Sequence, residues 1–394
     1  MPKDVVILGG ARTPLAEYAG VFKDVSALEL GAHAARAAFS RTGVDPSWVD
    51  QVVMGNVLQT SSDAVYGARH VGLKAGVPIE VPALTVNRLC GSGLQSVISA
   101  AQGIQLGESR LALVGGMENM TQAPHVIRGA RSGFKLGQGQ LEDSLVSALL
   151  DTYCGFSMAQ TSDNLARRSG VTREAMDAYA LRSQQAAAAA KARGAFEEEI
   201  VPVDVTQGRK TIRVAEDDHA RPETTLEVLA ALKPAFGKDS TVTAGNASGI
   251  VDGAAALVVA DREEAKRRGR APIARVVSWA VAGVPPEIMG IGPVPASRKA
   301  LDAAGLSLKD IDLVEVNEAF AGQYLSVEKE LGLDRGKTNV NGGAIALGHP
   351  LGATGARLLL TLALELRRRK GRYGLATACI GGGQGIAMII EREA

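Results

Sequence analysis

At 394 residues the chain exceeds what one hydrophobic core usually organises, so two or three domains are expected. Hydrophobic content of 46% with only 4% aromatics describes a core of Ala, Val, Leu and Ile, and a formal net charge of +1 supplies no basic field for nucleic acid, so any anionic ligand must be held locally. Three cysteines at long spacing, Cys90, Cys154 and Cys379, argue against a disulfide framework and for a reducing compartment, and no CxxC or Cys/His cluster points to a metal.

Near the N-terminus, Asp4 precedes the apolar run Val5 to Leu8, a pattern that fits neither a signal nor a transit peptide. No uncharged apolar run reaches about 18 residues, so no membrane partner is expected and the expected location is the cytoplasm. Val5 to Leu8 reads as a strand. Ser26-Ala27-Leu28-Glu29 reads as a capping box, with Val25 and Leu30 as a staple, opening a helix to about Ser40. Gln51 to Met54, Leu111 to Val114, Ile311 to Glu315 and Leu375 to Ala378 read as short buried strands. The Ala-rich stretch Ala186 to Ala190 belongs to one helix over Arg173 to Arg193, because alanine is the best helix former. Strands alternating with helices predict mainly parallel sheets covered on both faces, an α/β fold.

The chain resembles itself. Thr42 to Val53 matches Ala304 to Glu315 at an offset of 262 residues, and Leu89-Cys90-Gly91-Ser92-Gly93 matches Leu351-Gly352-Ala353-Thr354-Gly355 at the same offset. Each half reads helix, strand, Gly-rich turn, helix, strand. In the second half the last strand, Ile386 to Ile390, follows the turn Gly381-Gly382-Gly383 directly, whereas its counterpart Leu257-Val258-Val259 arrives after an excursion of about 134 residues. A third module is thereby expected at about 119 to 248.

Cys90 sits at the mouth of a helix beginning near Gly91, where exposed N–H groups and the helix dipole favour a thiolate; the alternative is a small buried residue at a tight turn. Asn317-Glu318-Ala319-Phe320 follows a strand and is suited to orienting a water or a carbonyl, while Gly245 to Gly249 reads equally well as a plain turn. His349 aligns with Asn87 in the repeat, in a segment with five glycines from Gly342 to Gly355, so a pseudo-twofold relation between the halves would bring a Cys/His pair to one cleft. Cys379 ends a strand ahead of Ile380-Gly381-Gly382-Gly383-Gln384-Gly385, a turn whose N–H groups can converge on an oxyanion beside a thiol base. A phosphate loop is the rival, but neither nucleotide fingerprint is present. His33, His70, His125 and His219 read as surface or packing residues.

Taken together, Asn-Arg-Leu-Cys-Gly-Ser-Gly, Asn-Glu-Ala-Phe, Gly-His-Pro-Leu-Gly-Ala-Thr-Gly and Cys-Ile-Gly-Gly-Gly-Gln-Gly resemble the thiolase family, over nearly the whole chain from Arg12-Thr13-Pro14 onward. The resemblance implies a duplicated five-layer αβαβα fold with an inserted loop domain: a first half at 1–118 and 249–270, a loop domain for CoA binding and oligomerisation at 119–248, and a second half at 271–394. It implies an acyltransferase joining acetyl-CoA to an acyl-CoA, or cleaving a 3-ketoacyl-CoA, with CoA and acyl-CoA as substrates and no permanent cofactor. Cys90 would be the nucleophile, His349 its activator and Cys379 the acid/base at the α-carbon; Asn317 would hold a water that forms one oxyanion hole with His349, and the N–H groups of Cys90 and Gly381 the other. Coenzyme A would meet Arg221, Phe236, Ala244, Ser248 and Ile250, with Met158 on the pantetheine path, while Met289 and Phe320 would line the acyl pocket. A short-chain preference is expected, and Ser157-Met158 in place of the His-Met pair usual in the biosynthetic members makes a broader range of 3-ketoacyl-CoAs the alternative. A homodimer or homotetramer is expected, the segment Gln122 to Gln140 being the candidate tetramerising loop. Cys379 counts against a decarboxylating ketoacyl synthase, and intact Cys90 and Asn317 to Phe320 count against a non-catalytic lipid-carrier relative.

Overall fold

Strand β1 (Val5–Arg12) is buried along its whole length, sending Val6 and Leu8 into one apolar core and Val5 and Ile7 into another. A strand apolar on both faces must be covered on both. The computed structural model, which describes residues 3–137 and 139–393, shows how this is done. Met1, Pro2, Ala394 and Gln138 of the 122–140 loop lie outside the described residues.

The first half continues through α1 (Ala27–Thr42), β2 (Gln51–Gly55), α2 (Gly67–Lys74), β3 (Ala83–Val86), α3 (Ser92–Leu106) and β4 (Leu111–Glu118). The chain then leaves for an excursion that contains α4 (Met158–Ser169) and α5 (Arg173–Ala192), and returns as β5 (Val251–Asp261). The second half repeats the pattern as β6 (Ala274–Gly283), α6 (Pro293–Ala304), β7 (Leu313–Val316), α7 (Ala321–Leu331), α8 (Leu351–Arg369), β8 (Tyr373–Ile380) and β9 (Gln384–Arg392). The strands follow the path β7-β8-β9-β6-β1-β5-β4-β2-β3, and the seam between the halves is short: only Val6 with Arg275 and Ile7 with Ala274 pair across it.

Three cores separate five layers. Leu28, Leu30, Ala68 and Val71 of α1 and α2 cover the outer face of the first-half strands. Leu94, Val97 and Ile98 of α3 and Leu358, Leu359 and Leu362 of α8 fill the centre between Val53, Val114 and Leu257 on one side and Ala376, Ile386 and Met388 on the other. Val294 and Ala300 of α6 and Tyr324 and Leu325 of α7 close the outer face of the second half.

The expectation of mainly parallel sheets is corrected. The pairs β2–β3, β2–β4 and β7–β8 are parallel, but β1–β5, β4–β5, β8–β9, β6–β9 and β1–β6 are antiparallel. The cause is the turn at Gly381 to Gly383, which reverses the chain directly so that β9 lies antiparallel beside β8; β5 takes the same place beside β4 after the excursion. Two smaller differences are local. The strand expected from Ile311 starts at Leu313, because Leu308–Asp310 forms a 3-10 turn that Ile311 terminates. Ser26 accepts from the Glu29 N–H at 3.2 Å, but the Glu29 carboxylate binds Lys74 rather than completing the box.

The repeated glycines have a steric reason. α3 and α8 cross with bare backbone in contact: a Cβ on Gly93 would lie 2.5 Å from the Ala356 nitrogen, and one on Gly355 would lie 2.3 Å from the Leu94 nitrogen. These two positions are equivalent in the repeat. Next to them, a Cβ on Gly55 would meet both Ser92 Cβ at 2.7 Å and the Gly352 oxygen at 2.9 Å, so the first turns of the two helices lie side by side. Cys90 and His349 stand just ahead of those turns.

Candidate active site

The turn carrying Cys90 is held tightly. Leu89 adopts a left-handed conformation with φ of 45°, costly for a branched side chain, and local side chains support it. Asn87 Oδ1 accepts from the Leu89 N–H at 3.0 Å, while Ser92 Oγ accepts from the Arg88 N–H at 2.9 Å and donates to the Leu89 oxygen at 2.7 Å. Cys90 is thus presented at the tip of a strand-to-helix turn and stays partly exposed. A Cβ on Gly381 would lie 3.2 Å from Leu89 Cδ1, so the two Gly-rich turns meet beside Cys90, and the Gly381 N–H favours its thiolate. Burial opposes the expected thiolate: it pushes the Cys90 thiol up to about 11 against the help of these N–H groups, and nearby Glu118 raises it further. Desolvation outweighs the helix mouth, so the proton must be taken by a base.

His349 is built to be that base. Its backbone N–H donates to the Gly249 oxygen at 2.9 Å, and its ring Nδ1 lies 2.6 Å from Thr354 Oγ1. The single Thr354 hydroxyl hydrogen goes to the Pro350 oxygen at 3.0 Å, so Nδ1 must be the donor and Nε2 carries the lone pair. Asn317 Nδ2 reaches Nε2 at 3.3 Å. Burial, with a contribution from the charge of Arg357, pushes the ring down to about 3, which leaves it neutral at physiological pH. Asn317 is fixed at the end of β7 by its N–H to the Thr377 oxygen at 2.9 Å, and its buried Oδ1 has no protein partner, the setting in which an ordered water binds.

Cys379, near the end of β8, is buried with Met289 and Ala319, and Met158 and Phe320 pack against them. Burial pushes its thiol far above the ordinary cysteine range, and the proximity of Cys90 adds to this. The register of β7 with β8, Val316 opposite Thr377, sets Asn317 beside the strand end that carries Cys379. Two thiols, a neutral imidazole and converging N–H groups can form and resolve a thioester while moving a proton at the next carbon.

The residues expected around coenzyme A spread outward from this centre. Met158 packs over Gly381, where a Cβ would lie 3.3 Å from its sulfur. Ser248 donates its N–H to the Ala319 oxygen at 3.0 Å, and Ala247 pairs with Phe320. Arg221 and Ala244 line a cleft of about 590 Å³ together with His219, Leu229 and Ile345, while Phe236 and Ile250 are exposed. The Arg221 guanidinium is bonded to the Glu17 carboxylate and to the Asp218 and His219 oxygens, so its charge is already compensated within the protein.

The supporting roles of four residues escaped the sequence reading. Thr354 fixes the His349 tautomer. Glu118 accepts from the Val57, Leu58 and Gly352 N–H groups and so ties the Cys90 region to the first turn of α8. Glu318 accepts from Tyr179, Ser183, Asn339 and the Ile345 N–H, which makes it a strut of the Asn317 loop. Ser157 forms a reciprocal capping box with Gln160 at the start of α4. The repeat held the signal for Thr354, since it aligns with Ser92 and each hydroxyl braces the reactive turn ahead of its helix.

Comparison with known proteins agrees with this geometry. The family model of the thiolase N-terminal domain matches residues 5–263, and that of the thiolase C-terminal domain matches residues 270–392. Human mitochondrial 3-ketoacyl-CoA thiolase is 54% identical over 100% of this chain and 99% of its own, and acetyl-CoA acetyltransferase of Escherichia coli K12 is 51% identical over 99% of each. The crystal structure of the human mitochondrial enzyme in complex with CoA has a TM-score of 0.97 at 54% identity, covering 99% of this chain and 98% of that one. The structure of Bacillus anthracis acetyl-CoA acetyltransferase also has a TM-score of 0.97, at 45% identity over 100% and 99% of the two chains. The chain belongs to the thiolase family of acyltransferases.

Proposed function

We propose that the protein catalyses the reversible Claisen condensation of acetyl-CoA with an acyl-CoA, and the reverse thiolysis of 3-ketoacyl-CoA, through an acyl-enzyme on Cys90. In the cleavage direction the Cys90 proton passes to His349 Nε2 and the sulfur attacks the 3-keto carbon. The carbon–carbon bond breaks, and Cys379 gives its proton to the α-carbon of the departing acetyl-CoA enolate. An incoming CoA thiol then returns a proton to Cys379 as its sulfur takes the acyl group, and His349 returns its proton to Cys90. The N–H groups of Cys90 and Gly381 serve one oxyanion; His349 with a water on Asn317 serves the other. The observation that carries this reading is the packing of Gly381 against Leu89 and of Gly91 against Ile380, which sets the Cys90 turn against the turn that follows Cys379 and gives nucleophile, oxyanion donor and acid/base one common locus.

Coenzyme A would lie along Arg221, Phe236, Ala244, Ser248 and Ile250 and enter past Met158, and the acyl group would rest on Met289 and Phe320. We place the preference at short chains. The broader reading is favoured by one observation, that Ser157 is committed to capping α4 and offers no imidazole to pantetheine. Thiolysis of 3-ketoacyl-CoAs of increasing length separates the two: the short-chain reading expects the four-carbon substrate to be cleaved fastest, and rates that rise steadily with chain length would replace it with the broader one. A cytoplasmic homodimer or homotetramer completes the proposal, supported by the cysteine usage and by the edge strand β3, where Leu84 is exposed.

A further inference from the structure

Two polar rungs cross the space between β7 and α8. The first joins Asn317 to His349 at 3.3 Å, with Thr354 in the first turn of α8 steadying the ring. The second lies one step further along both elements. Glu315 is two residues before Asn317 and therefore on the same side of the strand, and Arg357 is three residues after Thr354 and therefore on the same side of the helix; the two approach to 3.6 Å.

This second rung is incomplete. Both side chains are buried, yet Arg357 Nε, Nη1 and Nη2 and Glu315 Oε2 have no hydrogen-bond partner among the described residues. A buried guanidinium normally fills its fork, and a loosely paired buried ion pair is a poor source of stability. The other charged groups around it are engaged elsewhere. Glu318 is held by Tyr179, Ser183 and Asn339; Glu199 by Arg12 and Thr361; Glu365 by Arg368, Arg369 and Asn341.

We propose that Arg357 is a positioning residue for the reaction, a fixed cation beyond the His349–Thr354 pair that disfavours the imidazolium, so that the proton taken from Cys90 is held only in passing and is readily returned, with Glu315 as its loosely held counter-group. A second positive charge beside a guanidinium is disfavoured, and the start of α8 adds the positive end of a helix dipole. Burial is the larger cause of the low ring pKa and Arg357 the next. Burial also pushes the Glu315 carboxyl up to about 8, opposed by Arg357, so near neutrality it carries little of the charge that would cancel the guanidinium. Burial lowers Arg357 itself, against the pull of Glu315 and Glu199, but a guanidinium ionises strongly enough to remain a cation.

The inference rests on His349 as the base of the proposed reaction, and its test reads the ring and the turnover separately. The full chain has five histidines, few enough to follow by NMR after labelling with ¹⁵N-histidine, with His349→Gln identifying the signal. In the wild type the His349 ring is expected to stay neutral, protonated on Nδ1, from pH 8 down to about pH 4.5. In Arg357→Met its midpoint is expected to rise by about one pH unit or more, and in Arg357→Lys to stay with the wild type. A wild-type ring that titrates near its ordinary value overturns the proposal without any variant, and so does a folded Arg357→Met whose ring follows the wild type. Should Arg357→Met fail to fold, Arg357→Gln decides: it keeps a polar chain without the charge, so its ring midpoint must rise by about one pH unit or more, and a ring that follows the wild type contradicts the proposal. Turnover by His349→Gln at the wild-type rate would instead remove His349 as the base.

Discussion

At the scale of single residues, the chemistry depends on which atom of His349 carries its proton, and that is decided by a hydroxyl rather than by a carboxylate. Thr354→Val leaves Nδ1–H buried without an acceptor, at a cost of about 1–3 kcal/mol, and frees the ring to adopt the wrong tautomer. Turnover should fall by about tenfold or more while Thr354→Ser retains most of it, measured as kcat for thiolysis; equal activity in the Val variant would show that the hydroxyl does not set the tautomer. Cys90, His349, Asn317 and Cys379 were legible in the sequence because each stands in a motif with its own glycines or its own tetrad. What the sequence could not carry is the balance of burial against local dipoles. The helix mouth pointed to a thiolate at Cys90, and only the packed structure shows that desolvation wins. The same holds for Arg221, whose partner Glu17 lies 204 residues away.

At the scale of elements, the crossing of α3 and α8 is what turns two distant motifs into one site. Gly93→Ala places a methyl against the Ala356 nitrogen and should cost about 3 kcal/mol, with loss of activity, as the helix mouths are forced apart. Gly305→Ala is the control. Gly305 has φ of 66° with open space around it, so it should cost about 1 kcal/mol through backbone conformation alone. Chemical denaturation of both variants checks this; a Gly93→Ala no less stable than Gly305→Ala would mean that the crossing is not close-packed. The first helix and the helix over Arg173–Ala192 were readable from a cap and from alanine content, and several strands from short apolar runs. Strand direction was not, since βαβ-like alternation is common to sheets in which the final strand of each half turns back, and the reversal at Gly381 to Gly383 is a property of the turn, not of the strand pattern.

At the scale of the whole molecule, the duplication explains the architecture: two sheets share a central pair of helices, and an excursion from the first half supplies Met158 and Ser248 beside the site while its helix α5 braces the loop of Asn317 through Tyr179 and Ser183. This plan was visible in the 262-residue offset, because a repeat preserves the glycines that the crossing requires. Assembly is proposed through the exposed edge at β3, and Leu84→Lys should shift the protein to monomers in light scattering; an unchanged oligomer would place the interface elsewhere. The central claim is that Cys90, Cys379 and His349, far apart in the chain, act on one thioester. Mass spectrometry of the protein after brief exposure to acetyl-CoA tests it most directly. The account predicts an acetyl group on the Cys90 peptide in the wild type and in Cys379→Ser, and none in Cys90→Ser or, in that time, in His349→Ala; acetylation of Cys154 or Cys379 in place of Cys90, or undiminished labelling without His349, would contradict it.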